Sequence, residues 1–339
     1  ENIARAIERS IARIQLPISH GSSPLTIDMA LGAAIFPEHA SSAIELISNA
    51  EIAYVTAKQQ AFDTVSVYAP ELKIEHLDIE TAYQRVKRAL SEDRVELYFQ
   101  PIQTIKSGQI EHYEALVRMH DEDGTIIMPE DIIPVTEATN LITQLDYKVI
   151  RLALEKLALM EESHPEVGIS VNLSAKHLGY ARLYDLIESE MASRRIYLAN
   201  LTFEITETAA LQNYAAAREF MNKLRRFGCR FALDDFGVGF TSFAQLRTLP
   251  VDIIKIDGMF IKELHTNKQD EVFVKAMTDV AHSQGKKVVA EYVENKDILR
   301  VLERLGVDFA QGFYIGRPSP DILGNARAGV DAVELGRSR

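Results

Sequence analysis

Apolar runs with the length of buried strands alternate with helical patterns along most of this chain. The strand candidates lie at 95–102, 112–118, 167–173, 201–205, 229–233, 251–256, 286–290 and 307–313. Helical patterns fall between most of them, at 142–161, 181–193, 212–227, 267–284 and 296–305. About eight strands with interleaved helices in roughly 240 residues predict an α/β fold, a TIM-like (β/α)8 barrel. A doubly wound open sheet is the structural alternative, although it carries its ligand loops on fewer strands.

The first two strand candidates are joined by only a short turn, Lys106-Ser107-Gly108. Parallel neighbours need a crossover connection of about a dozen or more residues, so this turn predicts an antiparallel hairpin. We therefore expect the first strand to depart from a strictly parallel barrel.

Polar side chains stand at the ends of the strand candidates, where the active sites of such barrels collect. These residues are Glu114, Asn172, Glu204, Glu207, Asp234, Asp235, Lys255, Asp257, Glu291, Glu294 and Gln311. So many carboxylates at one opening would repel each other unless cations were bound among them. No histidine stands at these ends apart from His112 and His120 near Glu114. Oxygen ligands of this kind favour Mg²⁺ or Mn²⁺ over zinc, so the sequence predicts a site for such cations.

The stretch from Arg230 to Phe243, RFALDDFGVGFTSF, places Asp234 and Asp235 after an apolar strand and before a glycine-bracketed loop. Neighbouring residues of a strand point to opposite faces, so a buried pair of aspartates needs a cation or a basic partner. The alternative is a helix N-cap aspartate in a surface turn. The polar residues at the other strand ends favour the cation.

The excess of acidic over basic residues argues against strongly anionic partners. Its formal net charge is -12, with 49 acidic and 37 basic residues, so the phosphates of a nucleic-acid polymer or an anionic membrane would repel it. A small phosphate ligand remains compatible, because metal ions can bridge it to acidic protein.

The sequence also bears on location. No apolar run approaches the roughly 18 residues that span a bilayer, and the single cysteine, Cys229, suits a cytoplasmic location. Because the sequence begins with Glu1, we expect an excerpt, in which a membrane anchor would belong to a segment outside this chain.

Residues 1–70 carry a separate pattern that is thin for an independent domain. Helical and strand-like patterns alternate there, at 3–14, 25–36, 40–58 and 64–68. We therefore expect a partial N-terminal segment at 1–70, a linker at 71–79, the barrel at 80–320 and a C-terminal tail at 321–339.

The barrel region carries an ordered set of short motifs. They are Gln100-Pro101-Ile102, Glu114-Ala115-Leu116-Val117-Arg118, Val171-Asn172-Leu173-Ser174, Glu204-Ile205-Thr206-Glu207, Leu233-Asp234-Asp235-Phe236-Gly237, Lys255-Ile256-Asp257-Gly258, Ala290-Glu291-Tyr292-Val293-Glu294 and Gln311-Gly312-Phe313. Over residues 76–320 this set resembles the EAL domain of cyclic di-GMP phosphodiesterases. The first 70 residues resemble the C-terminal half of a GGDEF (diguanylate cyclase) domain, with MALGAAIFP at 29–37 and NAEIAYVTAKQQ at 49–60.

The EAL resemblance implies a metal-dependent phosphodiesterase that opens cyclic di-GMP to linear pGpG in bacterial second-messenger signalling. It implies two cations per site, Mg²⁺ or Mn²⁺ with Ca²⁺ inhibitory, held by Glu114, Asn172, Glu204, Asp234, Asp235 and Glu291. Two neighbouring metals can activate the attacking water and neutralise charge on the phosphodiester. The resemblance further implies that Lys255 acts on this water with Glu114, Asp234 and Glu291 as catalytic carboxylates.

The same resemblance implies contacts to the substrate and a supporting loop. The implied substrate contacts are Gln100, Leu116, Arg118, Asp257, Glu294, Gln311 and Phe313. Glu207 would steady the loop of Gly237, Val238 and Gly239 that couples metal occupancy to dimer contact, and a homodimer is expected. Arg118 has the alternative of a solvated strand-end charge and Asp257 that of a helix N-cap.

Three residues depart from the pattern common in that family. Val238 stands in place of a threonine, Tyr292 in place of a glycine and Met119 in place of an aromatic residue. None of them removes a metal ligand, so they bear on the rate and on loop conformation. A cyclic di-GMP receptor that binds without turnover is the first alternative function. Another metal-dependent barrel enzyme, by analogy of fold alone, is the second.

Overall fold

A computed structural model describes residues 18–20, 23–25, 30–60, 65–139, 141–161, 163–177, 182–193, 196–238 and 243–322. The chain divides into two compact units, Glu1–Lys87 and Arg88–Arg339. The predicted helix at 3–14 and the predicted tail beyond residue 322 lie outside the described residues.

The described residues of the first unit form two small sheets, a helix and the first part of the helix that follows. Strands β1 (Ile18–His20) and β2 (Ser23–Leu25) pair antiparallel. Strands β3 (Leu31–Ala33) and β4 (Val65–Val67) pair parallel, with helix α1 (Ala43–Gln60) between them in the chain. Ile52 and Ala53 of α1 bury against Tyr68 and Ala34. Among the described residues of the predicted strand at 25–36, β3 is the one strand besides the last residue of β2.

Helix α2 (Pro70–Ser91) begins at a proline, whose fixed φ angle suits the first turn of a helix. It includes residues 71–79, which the sequence predicts as a linker, and the amphipathic pattern that follows them. The boundary between the two compact units falls within this helix, after Lys87. The division of the chain at residues 70 and 80 stays a prediction.

Eight strands of the second unit close into a barrel. They are β5 (Val95–Thr104), β6 (Ile110–His120), β8 (Gly168–Asn172), β9 (Leu201–Thr206), β10 (Arg230–Phe236), β11 (Ile253–Ile256), β12 (Lys287–Ala290) and β13 (Phe309–Gln311). The two-residue strand β7 (Ile126–Ile127) pairs with the far end of β6. Strand β5 pairs antiparallel with both β6 and β13, and the remaining neighbours in the barrel are parallel. The predicted TIM-like barrel with an antiparallel first strand is therefore confirmed.

Helices follow the parallel strands around the barrel. They are α3 (Pro129–Ala138), α4 (Leu141–Met160), α5 (Arg182–Ser193), α6 (Glu207–Gln212), α7 (Tyr214–Arg225), α8 (Phe243–Thr248), α9 (Lys268–Ser283) and α10 (Lys296–Leu305). Helices α6 and α8 were not predicted, because six residues span too few turns to show a helical period. Helix α3 was not predicted either, and it contains Pro134 in its interior, a residue that argues against a helix.

The signals that form these helices are clearest in α10. The Asn295 side chain caps its start by accepting hydrogen bonds from the backbone N–H groups of Asp297 and Ile298, at 3.1 and 3.0 Å. Gly306 ends it with φ +81°, a left-handed angle that glycine adopts without a side-chain clash. The face that it buries consists of Ile298, Val301, Leu302 and Leu305.

Successive side chains of the barrel strands point alternately to an apolar layer under the helices and to a polar barrel interior. On β10, the Phe231 ring packs against Phe220 of α7 and Phe203 of β9, with centroid distances of 6.5 and 5.7 Å. The next residue, Ala232, instead lines a cavity inside the barrel together with Lys255. Burying each of these rings on the outer face of the barrel stabilises the folded state by about 1.5–3 kcal/mol. This burial fixes which residues of the strand face the barrel interior. Asp234 falls in the same register as Ala232 and so also faces inward.

Within the described part of the chain, no helix combines the length and the apolar character that crossing a bilayer requires.

Candidate active site

Lys255 on β11 lies at the centre of the polar interior of the barrel. Its side chain is 1% exposed. Its Nζ atom lies 2.6 Å from Glu204 Oε2, 2.9 Å from Glu291 Oε1, 3.3 Å from Asp234 Oδ1 and 3.4 Å from Glu114 Oε2. One ammonium group therefore joins carboxylates from β6, β9 and β10 and from the loop after β12.

Glu114 is held in place by two amide side chains. Its Oε1 accepts a hydrogen bond from Asn172 Nδ2 at 2.7 Å, and its Oε2 accepts one from Gln311 Nε2 at 2.6 Å. Asn172 and Gln311 are the last residues of β8 and β13, so the barrel itself sets this geometry. Gln100 of β5 lies beside them, with its Oε1 3.3 Å from Gln311 Nε2.

The adjacent carboxylates Asp234 and Asp235 lie on the same side of the sheet because the strand is irregular there. The pairing of β10 with β11 shifts register between Leu233 and Phe236, and Asp235 has φ +54°. A carboxylate oxygen of each aspartate and one of Glu291 all lie within 4.8 Å of one another. The left-handed backbone at a non-glycine residue costs of order 1–3 kcal/mol, and such strain is typical of functional sites.

The charges in this cluster shift each other's protonation. Burial opposes the charge of Lys255, but Asp234, Glu114, Glu204 and Glu291 together raise its pKa well above the usual value. Burial raises the pKa of Glu204 well above its usual value and that of Glu291 to about 7. Burial acts in the same direction on Glu114, yet Lys255 and the amide donors outweigh it and hold that pKa below its usual value. The ammonium form of Lys255 therefore dominates in the absence of other cations.

The donor set of the cluster fits divalent cations. Asp234 Oδ1 is buried, and no aligned hydrogen bond to it is found among the described residues, although Lys255 Nζ is 3.3 Å away. A buried carboxylate oxygen without a donor is an open position for a metal. Asn172 donates through its nitrogen to Glu114, which leaves its carbonyl oxygen for the same purpose. With Asp235, Glu204 and Glu291, these groups form an oxygen-only set of the kind that Mg²⁺ and Mn²⁺ prefer.

A cleft of about 470 Å³ opens beside the cluster. Glu114, Glu291 and six of the predicted substrate contacts line it: Gln100, Leu116, Arg118, Glu294, Gln311 and Phe313. Arg118 is held in the wall by a 2.7 Å hydrogen bond from its Nη1 to the Val117 carbonyl and by the Tyr98 ring, 5.2 Å from the guanidinium carbon. The structure thus brings the predicted phosphate contact and the acidic cluster to one cleft.

Asp257 does not line the cleft. It follows β11, and its Oδ1 accepts a hydrogen bond from the backbone N–H of Met259 at 2.7 Å. This contact caps the 3₁₀ turn Gly258–Phe260 and corresponds to the alternative that the sequence left open for this residue. In the structure, the Asp257 side chain therefore caps a turn and does not line the cleft.

Glu207 contacts the loop after β10 directly. It is buried at the start of α6, and its Oε2 accepts a hydrogen bond from the backbone N–H of Gly237 at 3.0 Å. Gly237 has φ +104°, and a Cβ there would lie 2.7 Å from the Phe260 ring, so only glycine fits. Val238 is exposed, and Gly239 lies outside the described residues.

Tyr292 has φ +54° and stands half exposed on the rim of the cleft. A Cβ at Gly258 would lie only 2.3 Å from its ring, and Lys262 Nζ lies 4.4 Å from the ring centre. The bulk of Tyr292 is thus accommodated over the turn after β11 and leaves the acidic cluster intact.

Sequence reasoning missed Glu130 and Pro318, which also line the cleft. Glu130 follows Pro129 in the first turn of α3. A proline followed by acidic residues is a signal for the start of a helix, so the helix could have been found. Nothing in that signal indicates that the helix begins at the cleft.

The barrel matches a known family. The protein-family model described as the EAL domain matches residues 83–318. The cyclic di-GMP phosphodiesterase PdeB of Shewanella oneidensis is 35% identical over 328 residues, which cover 94% of this chain and 38% of PdeB. MucR of Pseudomonas aeruginosa, a bifunctional diguanylate cyclase/cyclic di-GMP phosphodiesterase, is 29% identical over 318 residues, which cover 94% of this chain and 46% of MucR. The chain therefore spans less than half the length of these curated relatives.

Among solved structures, the PaMucR phosphodiesterase in complex with c-di-GMP is similar to this chain. The TM-score is 0.67 at 31% sequence identity, and the match covers 71% of this chain and 98% of the solved one. This coverage corresponds to the size of the barrel unit.

Proposed function

Because this chain belongs to the EAL-domain family, we propose that it is a metal-dependent phosphodiesterase that hydrolyses cyclic di-GMP to linear pGpG. The observation that supports this most directly is the contact of Lys255 with four carboxylates at the end of a cleft that also holds Arg118. A cationic group for the phosphate and a set of oxygen ligands beside it suit water attack on a phosphodiester.

We propose that the residues of the cluster bind the cations and orient the attacking water. Glu114, Asn172, Glu204, Asp234, Asp235 and Glu291 would hold two divalent cations. When bound, these cations supply charge neutralisation at the phosphodiester and activation of the attacking water. Lys255 would orient that water and stabilise phosphate charge. Its contacts at 2.6 Å to Glu204 and 2.9 Å to Glu291 hold the ammonium group among the carboxylates, of which Glu114 and Glu291 line the cleft.

The remaining residues of the cleft would bind the nucleotide. Arg118 presents a guanidinium fork of the kind that pairs with phosphate oxygens. Gln311 contacts both Glu114 and Gln100, so it connects the catalytic carboxylate to the wall that the substrate touches. Phe313 is 54% exposed in the same cleft, and the guanidinium carbon of Arg317 lies over its ring, 4.2 Å from the ring centre. A base would stack on the ring face that Arg317 does not cover.

Hydrolysis of cyclic di-GMP by the purified chain tests this function. We expect linear pGpG to form with Mg²⁺ or Mn²⁺ and no product with EDTA or Ca²⁺, as separated by chromatography. The Glu114→Gln variant is the inactive control. If no product forms while the intact nucleotide binds, the chain is instead a cyclic di-GMP receptor, and Val238 after β10 and Tyr292 after β12 become the first residues to revert.

Metal affinity is expected to depend on pH through Glu291. Burial raises its pKa to about 7, so the metal-free protein holds this carboxyl protonated below neutral pH. A cation requires the ionised form, so binding should release a proton and strengthen about tenfold per pH unit up to about pH 7. Titration of the chain with Mn²⁺ between pH 5.5 and 8 by calorimetry measures this. An affinity that is flat over that range would contradict the raised pKa.

The raised pKa of Glu291 has the opposite effect on the metal-free fold. The usual value is 4.5, and the folded value is about 7, so the folded state binds more protons than the unfolded state between them. The contribution of this group to stability is therefore present below about pH 4.5 and is lost as pH rises to about 7. Added metal should reverse this trend.

We also propose finer features that rest on the resemblance. Residues 1–70 would be the C-terminal half of a GGDEF-like domain, followed by a linker at 71–79, the phosphodiesterase at 80–320 and a tail at 321–339. The alignment of the bifunctional relative MucR over 94% of this chain supports the GGDEF-like segment. The exposed side chains of Val272 and Phe273 on α9 support a homodimer through the barrel. A cytoplasmic location is consistent with the buried, unpaired Cys229.

A further inference from the structure

The cleft carries more carboxylates than cations, although its proposed substrate has two phosphates. Arg118 is the one lysine or arginine among the described residues that line it, whereas Glu114, Glu291, Glu130 and Glu294 are all carboxylates. Glu114 and Glu291 belong to the cation cluster. The other two are exposed and would repel phosphates unless they met hydrogen-bond donors of the substrate.

The backbone of Glu130 is held at the wall of the cleft. Strand β6 runs beyond the barrel, and its last residues pair with β7, as Met119 with Ile127. Helix α3 begins directly after β7 and buries Ile132 and Val135 beneath its first turns. The second residue of this helix is Glu130, so its backbone is fixed relative to Arg118 on β6.

The carboxylate of Glu130 is available to a ligand. No hydrogen bond or ion pair to it is found among the described residues, and its charge nevertheless acts on Arg118. Burial lowers the pKa of Arg118, and the neighbouring charge of Glu130 works against that shift. The two side chains therefore share one wall of the cleft, where Arg118 is held by Val117 and Tyr98 instead of by Glu130.

We propose that Glu130 reads a guanine of the substrate, by accepting hydrogen bonds from its N1–H and its 2-amino group. This inference rests on the proposed function. An ionised carboxylate has only acceptors, and guanine presents two adjacent N–H donors on its Watson–Crick edge, whereas adenine presents an acceptor beside its amino group. The pairing would be bidentate, and a base could stack on the face of Phe313 that Arg317 does not cover. Glu130 thus determines which base is accepted and takes no part in the bond-breaking step.

The Glu130→Gln variant tests this with two substrates, cyclic di-GMP and cyclic di-IMP, which lacks both 2-amino groups. For cyclic di-GMP we expect KM to rise about tenfold or more, with a smaller change in kcat, because a charged acceptor is replaced by an amide whose NH₂ opposes the donors. For cyclic di-IMP the rise should be several-fold smaller. Wild-type protein should prefer cyclic di-GMP about tenfold, and the variant should lose much of that preference.

The sign of the change separates base reading from a general effect of charge. If Glu130 only lined the cleft, loss of its negative charge would favour the anionic substrate and lower KM. The matched control is Asp131→Asn, which removes the same charge from the adjacent, exposed residue of α3 and should leave both substrates unaffected. An unchanged or lower KM for cyclic di-GMP, or equal effects on both nucleotides, overturns the assignment of Glu130. Wild-type protein that neither binds nor cleaves cyclic di-GMP overturns the proposed function and this assignment with it.

Discussion

Replacing Lys255 with methionine is expected to abolish most turnover and to make the fold depend on metal. The four carboxylates around Lys255 Nζ lie between 2.6 and 3.4 Å from it, and the side chain is 1% exposed. Methionine keeps a similar length and removes the only positive charge that contacts them among the described residues. Breaking a buried ion pair by removing one partner costs about 3–5 kcal/mol, because the remaining charges are left uncompensated.

The stability of the Lys255→Met variant should recover when metal is added. Divalent cations neutralise the same carboxylates, so Mn²⁺ should raise its Tm by more than it raises that of the wild type. Without metal we expect Tm to fall by about 10 °C, from a change of roughly 2–4 °C per kcal/mol in a domain of this size. The rate with saturating Mn²⁺ should stay about 10²–10⁴-fold below wild type, the usual range for losing a group that acts on a proton.

Lys286→Met is the matched control for Lys255→Met. Lys286 is also buried, but its Nζ donates to the carbonyl oxygens of Leu249 and Val251, at 3.1 and 2.8 Å. This variant should lose stability in a way that metal does not restore, and its kcat should stay near that of the wild type. An identical response of the two variants to Mn²⁺ would show that Lys255 is only a buried lysine and has no link to a cation site.

The second large effect is expected for Asp234→Asn. Asp234 shares the cluster with Asp235 and Glu291, and its Oδ1 is buried without an aligned donor. The amide preserves shape but replaces one acceptor by an NH₂ group that points donors at the cation positions. We expect kcat to fall by at least about 10³-fold, equivalent to about 4 kcal/mol of transition-state stabilisation. The rise in Tm on addition of Mn²⁺ should also be much smaller than in the wild type.

The fold of the Asp234→Asn variant should persist. Lys255 retains three carboxylate neighbours, so circular dichroism and the metal-free Tm should stay close to those of the wild type. The control is Asp297→Asn on α10, an exposed aspartate that pairs with Arg300 at 3.0 Å and should change neither rate nor metal response. A global loss of structure in Asp234→Asn would mean that its carboxylate is structural.

The order of strands and the polar residues at the strand ends could be read from the sequence, whereas the contacts among them could not. Apolar runs and the short turn at Lys106-Ser107-Gly108 gave the barrel and its antiparallel first strand, because each depends only on local patterns. The position of Asp235 depends on a shift of register in the pairing of β10 with β11. Two adjacent aspartates in a sequence do not reveal such a shift. A simple strand would have directed Asp234 and Asp235 to opposite faces.

Two residues show where sequence reasoning about the site ends. Asp257 carries the same signal as Asp234, a carboxylate after an apolar strand, yet its side chain caps the following turn. Glu130 lies in a helix start that looks like many surface helices, and only the pairing of β6 with β7 brings it to the cleft. In both cases the outcome depends on tertiary position, which a local pattern does not contain.

The antiparallel strand β5 also determines when during synthesis the barrel can be completed. Its two neighbours are β6, the next strand to be made, and β13, the last strand of the barrel. Until Phe309–Gln311 has left the ribosome, one edge of β5 has no partner and the contact between Gln100 and Gln311 cannot form. Closure of a ring over about 200 residues is a contact of high sequence separation, which slows folding and leaves strand edges open to aggregation. A nascent chain that stops before β13 would therefore be a candidate for chaperone binding, and the cleft beside the acidic cluster would be completed only with β13 and the residues after it.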